Sequence, residues 1–541
     1  MDDTNSEKAV LVGDMDCVRL MGLERFLSNC SWPISDDEFC GFVDRVMNSF
    51  GTHIAECNQE IFDLVLSDYR FLNFLFQHVH YNAVFARTRK NSNFKVNEEE
   101  GGNFLNPDWE LLANEFANKN MGNSFTLPRK EKLHWLRSVY WQIRNNYSLN
   151  SQICSRWKRF KSLFNYDVVS IGANGAPDWL KVEYICKNEV TCNYLEWDRL
   201  ISGYSTRKGE ELCTSHLEME FIEPFFEYFL VEANKIGFAI SHSKLKDTWS
   251  RRLVDLSRFY FSARDNPHRI KRLYVTGGGN PLRKAIATGL ASTGVEVTAF
   301  LHGNCAGIDI HPHGHLSHSG CVDVFVCPTE QIARNHRVAY SKLPILVRRK
   351  TKYVAAESNY YNSIFDEYQS HCCDNDAPIM IIGYPLNTYR YLDGSGYFFY
   401  FQLDLQVRLA KLLKENGHQI IYKAHPDRLS EAEGIFNGLV DYVETRPFER
   451  VWQNASTYLF THPGTTVFGE SLLTNRNIVL INIQRKWNLE GFKALRERCH
   501  MVDGWYSESN RVNFDTKLLL DAMHSSDKKD YGVVNKYFFR N

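Results

Sequence analysis

The chain has 541 residues, and at ~150 residues per domain that length implies roughly three domains. Its 63 basic and 64 acidic residues leave a net charge of −1, which excludes a global electrostatic case for a nucleic-acid binder. Hydrophobic residues make up 44% and aromatics 14%, enough for packed cores and too much for a mainly disordered chain.

The 14 cysteines include no C-x-x-C pair, so free thiols in a reducing, cytoplasmic setting are expected. The N-terminal stretch MDDTNSEKAVLVGDMD is acidic and lacks a signal-like apolar run. No window approaches the ~18 apolar residues of a membrane span. Peripheral attachment through basic and aromatic surface stays open.

Residues 1–160 read as a helical N-terminal region. FCGFVDRVMNSF, EIFDLVLSDYRFLNFLFQHV and EKLHWLRSVYWQIRNNY repeat apolar residues at three- and four-residue spacing. No chemistry signature occurs in them.

Residues 161–345 read as a first Rossmann-like domain. DVVSIG ends at Gly172 and leads through Asn174 to a helix opening at Asp178. RLYVTGGG runs into a glycine loop, Gly277, Gly278 and Gly279, followed by a helix that stops at Gly294. VEVTAFLHGN and CVDVFVCP are further strands, with Thr329 as N-cap of the next helix. Alternation of this kind predicts a parallel sheet covered by helices.

Residues 346–376 read as a linker, and residues 377–541 as a second Rossmann-like domain with C-terminal helices. APIMIIGYP, HQIIYKAHP, LVDYVET, STYLFTHPG and NIVLINI are its strands. The predicted fold is therefore α/β: two Rossmann-like domains facing across a cleft, with a helical N-terminal region.

Several constellations carry chemistry. His302-Gly303 ends a strand at the cleft, where an imidazole suits a general base and a glycine admits substrate. Asp178, beside Asn174 in the loop after the first strand, is the alternative base or nucleophile. The glycine loop lacks the G-x-G-x-x-G pattern, so it lines the acceptor side and does not hold a dinucleotide. His311, His313, His315 and His318 crowd one loop, but Pro312 and Gly314 break any helix that would set ligand spacing. That loop is read as contacting substrate, with no metal site.

On the second domain, Lys423 and His425-Pro426 arrive at a strand end, where they could neutralise a leaving phosphate. Thr461-His462-Pro463-Gly464 leads into a helix opened by Thr465 and Thr466, a start that favours an anion. Glu470, in that helix, could take a ribose or sugar hydroxyl or be a capping carboxylate. Glu444, at the end of another strand, is a weaker nucleoside contact.

These short motifs resemble GT-B glycosyltransferases of bacterial surface and capsular polysaccharide synthesis. His425-Pro426 with Thr465-Thr466 resembles the phosphate-binding set of CMP-Kdo and CMP-sialic acid transferases. His302 with His425 resembles the histidine pair of CDP-glycerol glycerophosphotransferases. The resemblance implies a GT-B-like fold and transfer of a Kdo- or sialic-acid-like ulosonic acid from a CMP-sugar donor. The acceptor would be a hydroxyl of a polysaccharide, such as capsule or lipopolysaccharide, or of a glycolipid. It implies His302 or His425 as the catalytic group, with Asp178 the alternative that the loop layout offers, and no cofactor or metal. It further implies a cytoplasmic enzyme, peripheral at the inner membrane or in contact with an assembly complex. A CDP-glycerol-type polyol-phosphate transferase and a non-catalytic module of such a complex are the rival readings.

Overall fold

The computed structural model describes residues 15–28, 31–90, 167–171, 179–189, 192–195, 200, 216–236, 243–265, 270–276, 280–301, 316, 319–341, 350–356, 359–371, 377–384, 386, 399–425, 429–432, 434–483, 487, 489–525 and 530–538. The third predicted N-terminal helix falls outside them.

Two sheets organise the described residues. The first has six strands in the order β2-β1-β3-β4-β5-β6. They are β1 (Val168–Ile171), β2 (Asn193–Tyr194), β3 (Arg272–Val275), β4 (Glu296–Phe300), β5 (Val324–Cys327) and β6 (Lys352–Ala355), all paired in parallel. Its short runs, such as VVSI, are buried throughout, as expected of strands covered on both faces. Val169, Ile171, Leu273 and Val275 face the main core. Val168, Tyr274 and Val326 face a smaller core under the Trp179–Asn188 helix.

The second sheet has seven strands in the order β13-β12-β11-β10-β7-β8-β9. They are β7 (Ile379–Ile382), β8 (Ile420–Lys423), β9 (Tyr442–Glu444), β10 (Thr457–Phe460), β11 (Asn477–Ile483), β12 (His500–Tyr506) and β13 (Val512–Phe514). Only β13 runs antiparallel. Ile379, Ile381, Leu459 and Tyr422 face one core, and Met380, Ile382, Tyr458 and Phe460 face the other. The described residues thus form two Rossmann-like sheets with a helical N-terminal region.

Local signals explain the element ends. Thr329 caps the Glu330–Tyr340 helix by accepting from the Ile332 amide. Gly294 and Gly417 end helices at positive φ, where the missing Cβ removes the penalty.

Three boundaries differ from the sequence reading. β6 lies inside the stretch 346–376 read as a linker. There it pairs with β5, and Ile364 and Phe365 of the following helix join the second sheet's core. NIVLINI does not close the second sheet, because the tail adds the β12–β13 hairpin around Asn510, whose φ is 60°. The long apolar run near residue 61 is two helices, α4 (Gln59–Ser67) and α5 (Phe71–Lys90), broken where Asp68 is drawn into an ion pair with Arg252.

The N-terminal helices α1 (Met15–Met21), α2 (Leu23–Ser28), α3 (Asp36–Glu56), α4 and α5 do not form a separate cap. Phe42 of α3 packs on Phe229, and Arg45 pairs with Glu232 at 2.6 Å, both in the Glu223–Lys235 helix of the first half. At the other end Trp32 packs on Tyr400 at 4.5 Å. Its carbonyl accepts from Asn510 and its amide donates to the Ser509 carbonyl, while the indole N–H donates to His80 Nε2 at 2.8 Å. One hydrophobic cluster therefore runs from the N-terminal helices into both sheets. The C-terminal segment Val534–Phe538 packs back against the Glu330–Tyr340 helix of the first half. No described helix is long and apolar enough to cross a membrane.

Candidate functional site at the edge of the second sheet

In the second sheet β7 leads to β8 and β9 on one side, and the chain then returns to place β10 on β7's other side. Neighbouring strands leave this point in opposite directions, which opens a crevice at their C-terminal ends. Register aligns the floor: Phe460 pairs with Ile382, Ile382 with Lys423, and Lys423 with Glu444. Two residues further along each strand come His462, Tyr384 and His425. The Tyr384 and His462 rings stand 4.4 Å apart, and His425 is half-buried.

The β10 exit is built by its own backbone. His462 Nδ1 accepts from the Gly464 amide at 2.9 Å, so the ring proton of the neutral imidazole is on Nε2. Thr465 caps the Thr466–Ser471 helix, its hydroxyl accepting from Phe468 N. The first amides of a helix have no intrahelical acceptor, and those of Thr466 and Val467 meet no acceptor among the described residues. This helix is only six residues long. Its pull on an anion therefore comes from these amides more than from a macrodipole.

Charge is arranged unevenly. Lys423 is buried and donates to the Ala424 carbonyl at 2.7 Å. Burial lowers its pKa, and Glu444 and Glu449 oppose that shift. Glu444 is buried and accepts from Arg446 Nη2 at 2.6 Å and from the Arg446 amide at 2.9 Å. The Arg446 hydrogen bonds hold its carboxyl below the ordinary range. Glu444 is thereby occupied within the protein. Glu470 differs: it is buried, and no hydrogen bond to its carboxyl occurs among the described residues. Burial, aided by Glu449, pushes it up to about 8, so at neutral pH it is a protonated carboxyl that can both donate and accept. Because Glu449 acts on both Lys423 and Glu470, these groups share one neighbourhood.

The edge thus brings together Lys423, His425, Glu444, His462, Gly464, Thr465, Thr466 and Glu470. Pro426 lies outside the described residues. So do the residues expected on the opposite side: His302, Gly303, Asp178, Asn174, Gly277 and Gly278, with the histidine-rich loop from His311 to His318. Among the described residues no group of three or more His, Cys, Asp or Glu could hold a metal. Sequence reasoning missed Tyr384, Arg446 and Glu449. Tyr384 had a signal, since it follows β7 at the same remove from its strand end as His462 from β10.

No protein-family profile and no curated protein matches the chain. Among solved structures it is similar to UDP-N-acetylglucosamine 2-epimerase from Rickettsia bellii, at 13% identity over 67% of this chain and 87% of that chain, with a TM-score of 0.35. Os79 from O. sativa in complex with UDP gives 9% over 69% and 88%, with a TM-score of 0.34. Phytolacca americana UGT2, complexed with UDP-2fluoro-glucose and pterostilbene, gives 8% over 68% and 91%, with a TM-score of 0.35. Likenesses this distant carry no argument about activity.

Proposed function

We propose that the chain is a nucleotide-sugar-dependent glycosyltransferase and that the edge of β7, β8, β9 and β10 is its donor site. The observation that carries this reading is Glu470. Its carboxyl makes no hydrogen bond among the described residues, and a ribose or sugar hydroxyl would give it one. The Thr466 and Val467 amides and His462 Nε2–H offer donors suited to the phosphate joined to that sugar, with His425 close by in register.

The donor is a CMP-activated ulosonic acid, Kdo-like or sialic-acid-like. The acceptor is a hydroxyl of a surface polysaccharide or glycolipid. The acceptor oxygen attacks the anomeric carbon while the bond from that carbon to the phosphate oxygen breaks, and its electron pair leaves with CMP. His302 or Asp178 takes the hydroxyl proton, and His425 and His462 meet the charge growing on the phosphate. The protein's own cations and amides stabilise the leaving nucleotide, and no metal is invoked. The setting is cytoplasmic and peripheral to the inner membrane.

Thermal-shift titration with CMP, CDP, UDP and GDP tests the reading, followed by transfer assays with each donor class. CMP stabilisation that weakens in Glu470→Ala and His462→Ala supports it. Preference for CDP, with glycerol-phosphate transfer, would move the chain to the polyol-phosphate class. No response to any nucleotide would leave the non-catalytic reading standing.

A further inference from the structure

Under the site, on the opposite face of the sheet, lies a row of buried polar side chains. The Phe399–Glu415 helix packs there. Thr461 donates its hydroxyl to Gln402 Oε1 at 2.7 Å, and Gln406 Nε2 donates to the same oxygen at 3.3 Å. Tyr422 of β8 donates its hydroxyl to Gln406 Oε1 at 2.8 Å. Gln402, Gln406, Tyr422 and Thr461 are all nearly inaccessible to solvent. A buried polar row is weaker than apolar packing unless each member is satisfied, and a satisfied one fixes a single arrangement.

The row spans three strands. Tyr422 belongs to β8 and Thr461 follows β10, and β7 runs between them. A Cβ at Gly383, just past β7, would lie 2.5 Å from the Tyr422 hydroxyl and 2.9 Å from the Lys423 carbonyl oxygen. Only glycine lets the tyrosine hydroxyl pass under β7 to the helix.

The consequence for the site follows from alternation. β10 pairs with β7 as far as Phe460 and no further, so Thr461 lies at the very end of the ladder. Side chains alternate between faces. Thr461 tied down to Gln402 therefore forces His462 up on the other face, against Tyr384. A slip of one residue would exchange the two faces.

We propose that Gln402 is a positioning residue for the donor site, holding the β10 exit in register through the Thr461 hydroxyl so that His462 Nε2–H and the Thr466 and Val467 amides converge on one phosphate. This rests on the donor-site reading above. Gln402 touches no substrate. Its effect reaches the ligand only through Thr461 and the turn beyond it.

The test compares Thr461→Val, Thr461→Ser, Gln402→Met and the double variant Thr461→Val/Gln402→Met in the full chain. The readouts are CMP and UDP affinity and the ring-nitrogen NMR signals of His462, assigned through His462→Asn. Loss of a single hydrogen bond corresponds to roughly three- to ten-fold. Thr461→Val and Gln402→Met should each weaken nucleotide binding by that factor, and the double variant by no more than either single one, since both delete the same contact. Thr461→Ser, which keeps the hydroxyl, should bind as the wild type does. The His462 ring should show one fixed Nε2–H tautomer in the wild type and in Thr461→Ser, and an averaged pair in Thr461→Val. Unchanged affinity together with an unchanged ring spectrum in Thr461→Val would overturn the proposal. Thr461→Val keeps the side-chain volume and so guards against a Gln402→Met that fails to fold. If the wild type binds neither nucleotide, the donor-site reading falls, and the ring spectrum alone decides the role of Gln402.

Discussion

Each sheet has one point at which the strand order reverses, and the two differ in what stands there. In the first, β1 leads to β2 on one side and β3 returns on the other. In the second, β7 leads towards β8 and β10 returns. At the first crossing Lys181, fully buried on the Trp179–Asn188 helix, reaches Thr276 Oγ1 at 3.4 Å from across the strand ends. At the second crossing a glycine, two glutamines and a threonine hold the strands from below, and Glu470 and helix amides are left for a ligand above. Topology fixes where a crevice opens, and the side chains decide what it can hold.

The largest expected effect concerns what joins the two sheets. Trp32 lies in the segment that reaches the second half, and it bonds to His80 of α5, which belongs to the N-terminal helices packed on the first half. Trp32→Ala should cost about 3–5 kcal/mol, measured by denaturant unfolding. A single unchanged transition would contradict the view that the N-terminal helices brace both sheets.

Glycines at matched depth should separate the two halves. A Cβ at Gly289 would meet the Tyr260 carbonyl oxygen at 2.4 Å between two helices of the first half. One at Gly383 would meet the Tyr422 hydroxyl. Gly289→Ala and Gly383→Ala should each cost about 1–3 kcal/mol, seen as a lower denaturation midpoint. Gly383→Ala alone should also weaken CMP binding in a titration.

A smaller effect is the pH signature of Glu470. Its carboxyl titrates near 8 in the fold against an ordinary 4.5. Below pH 4.5 both folded and unfolded states hold the proton, so its contribution is fully present. As pH rises the unfolded chain releases the proton first, and stability falls until the folded group ionises near pH 8. Glu470→Gln lacks this loss. Its stability relative to wild type should be flat below pH 4.5 and should grow steadily as the pH rises towards 8, read from midpoints across that range.

Much of this was legible in the sequence. Strand runs such as IMII and TYLF are buried throughout, and parallel strands covered on both sides leave that continuous apolar trace. The ends of β8 and β10 were found because histidines follow apolar runs directly there. The β12–β13 hairpin was missed because HMVDGWY mixes buried and exposed positions and resembles a polar tail. β6 was missed because KYVA is short and sits next to basic residues. The glutamine row was invisible for a different reason. Gln402 and Gln406, four residues apart, look like the wet side of an amphipathic helix, yet both are buried, as is Asp404 on the opposite side. That helix is covered by the sheet and by the N-terminal helices, and Arg408 and Arg511 neutralise Asp404. Only tertiary contact distinguishes a buried polar stripe from an exposed one.

The most direct measurement is isothermal titration of CMP into the wild type, Glu470→Ala and Lys181→Met. The account predicts binding to the wild type, a loss of about ten-fold or more in Glu470→Ala, and wild-type affinity in Lys181→Met. Equal affinity in the wild type and Glu470→Ala, or a loss confined to Lys181→Met, would contradict it and move the nucleotide away from the second sheet's edge.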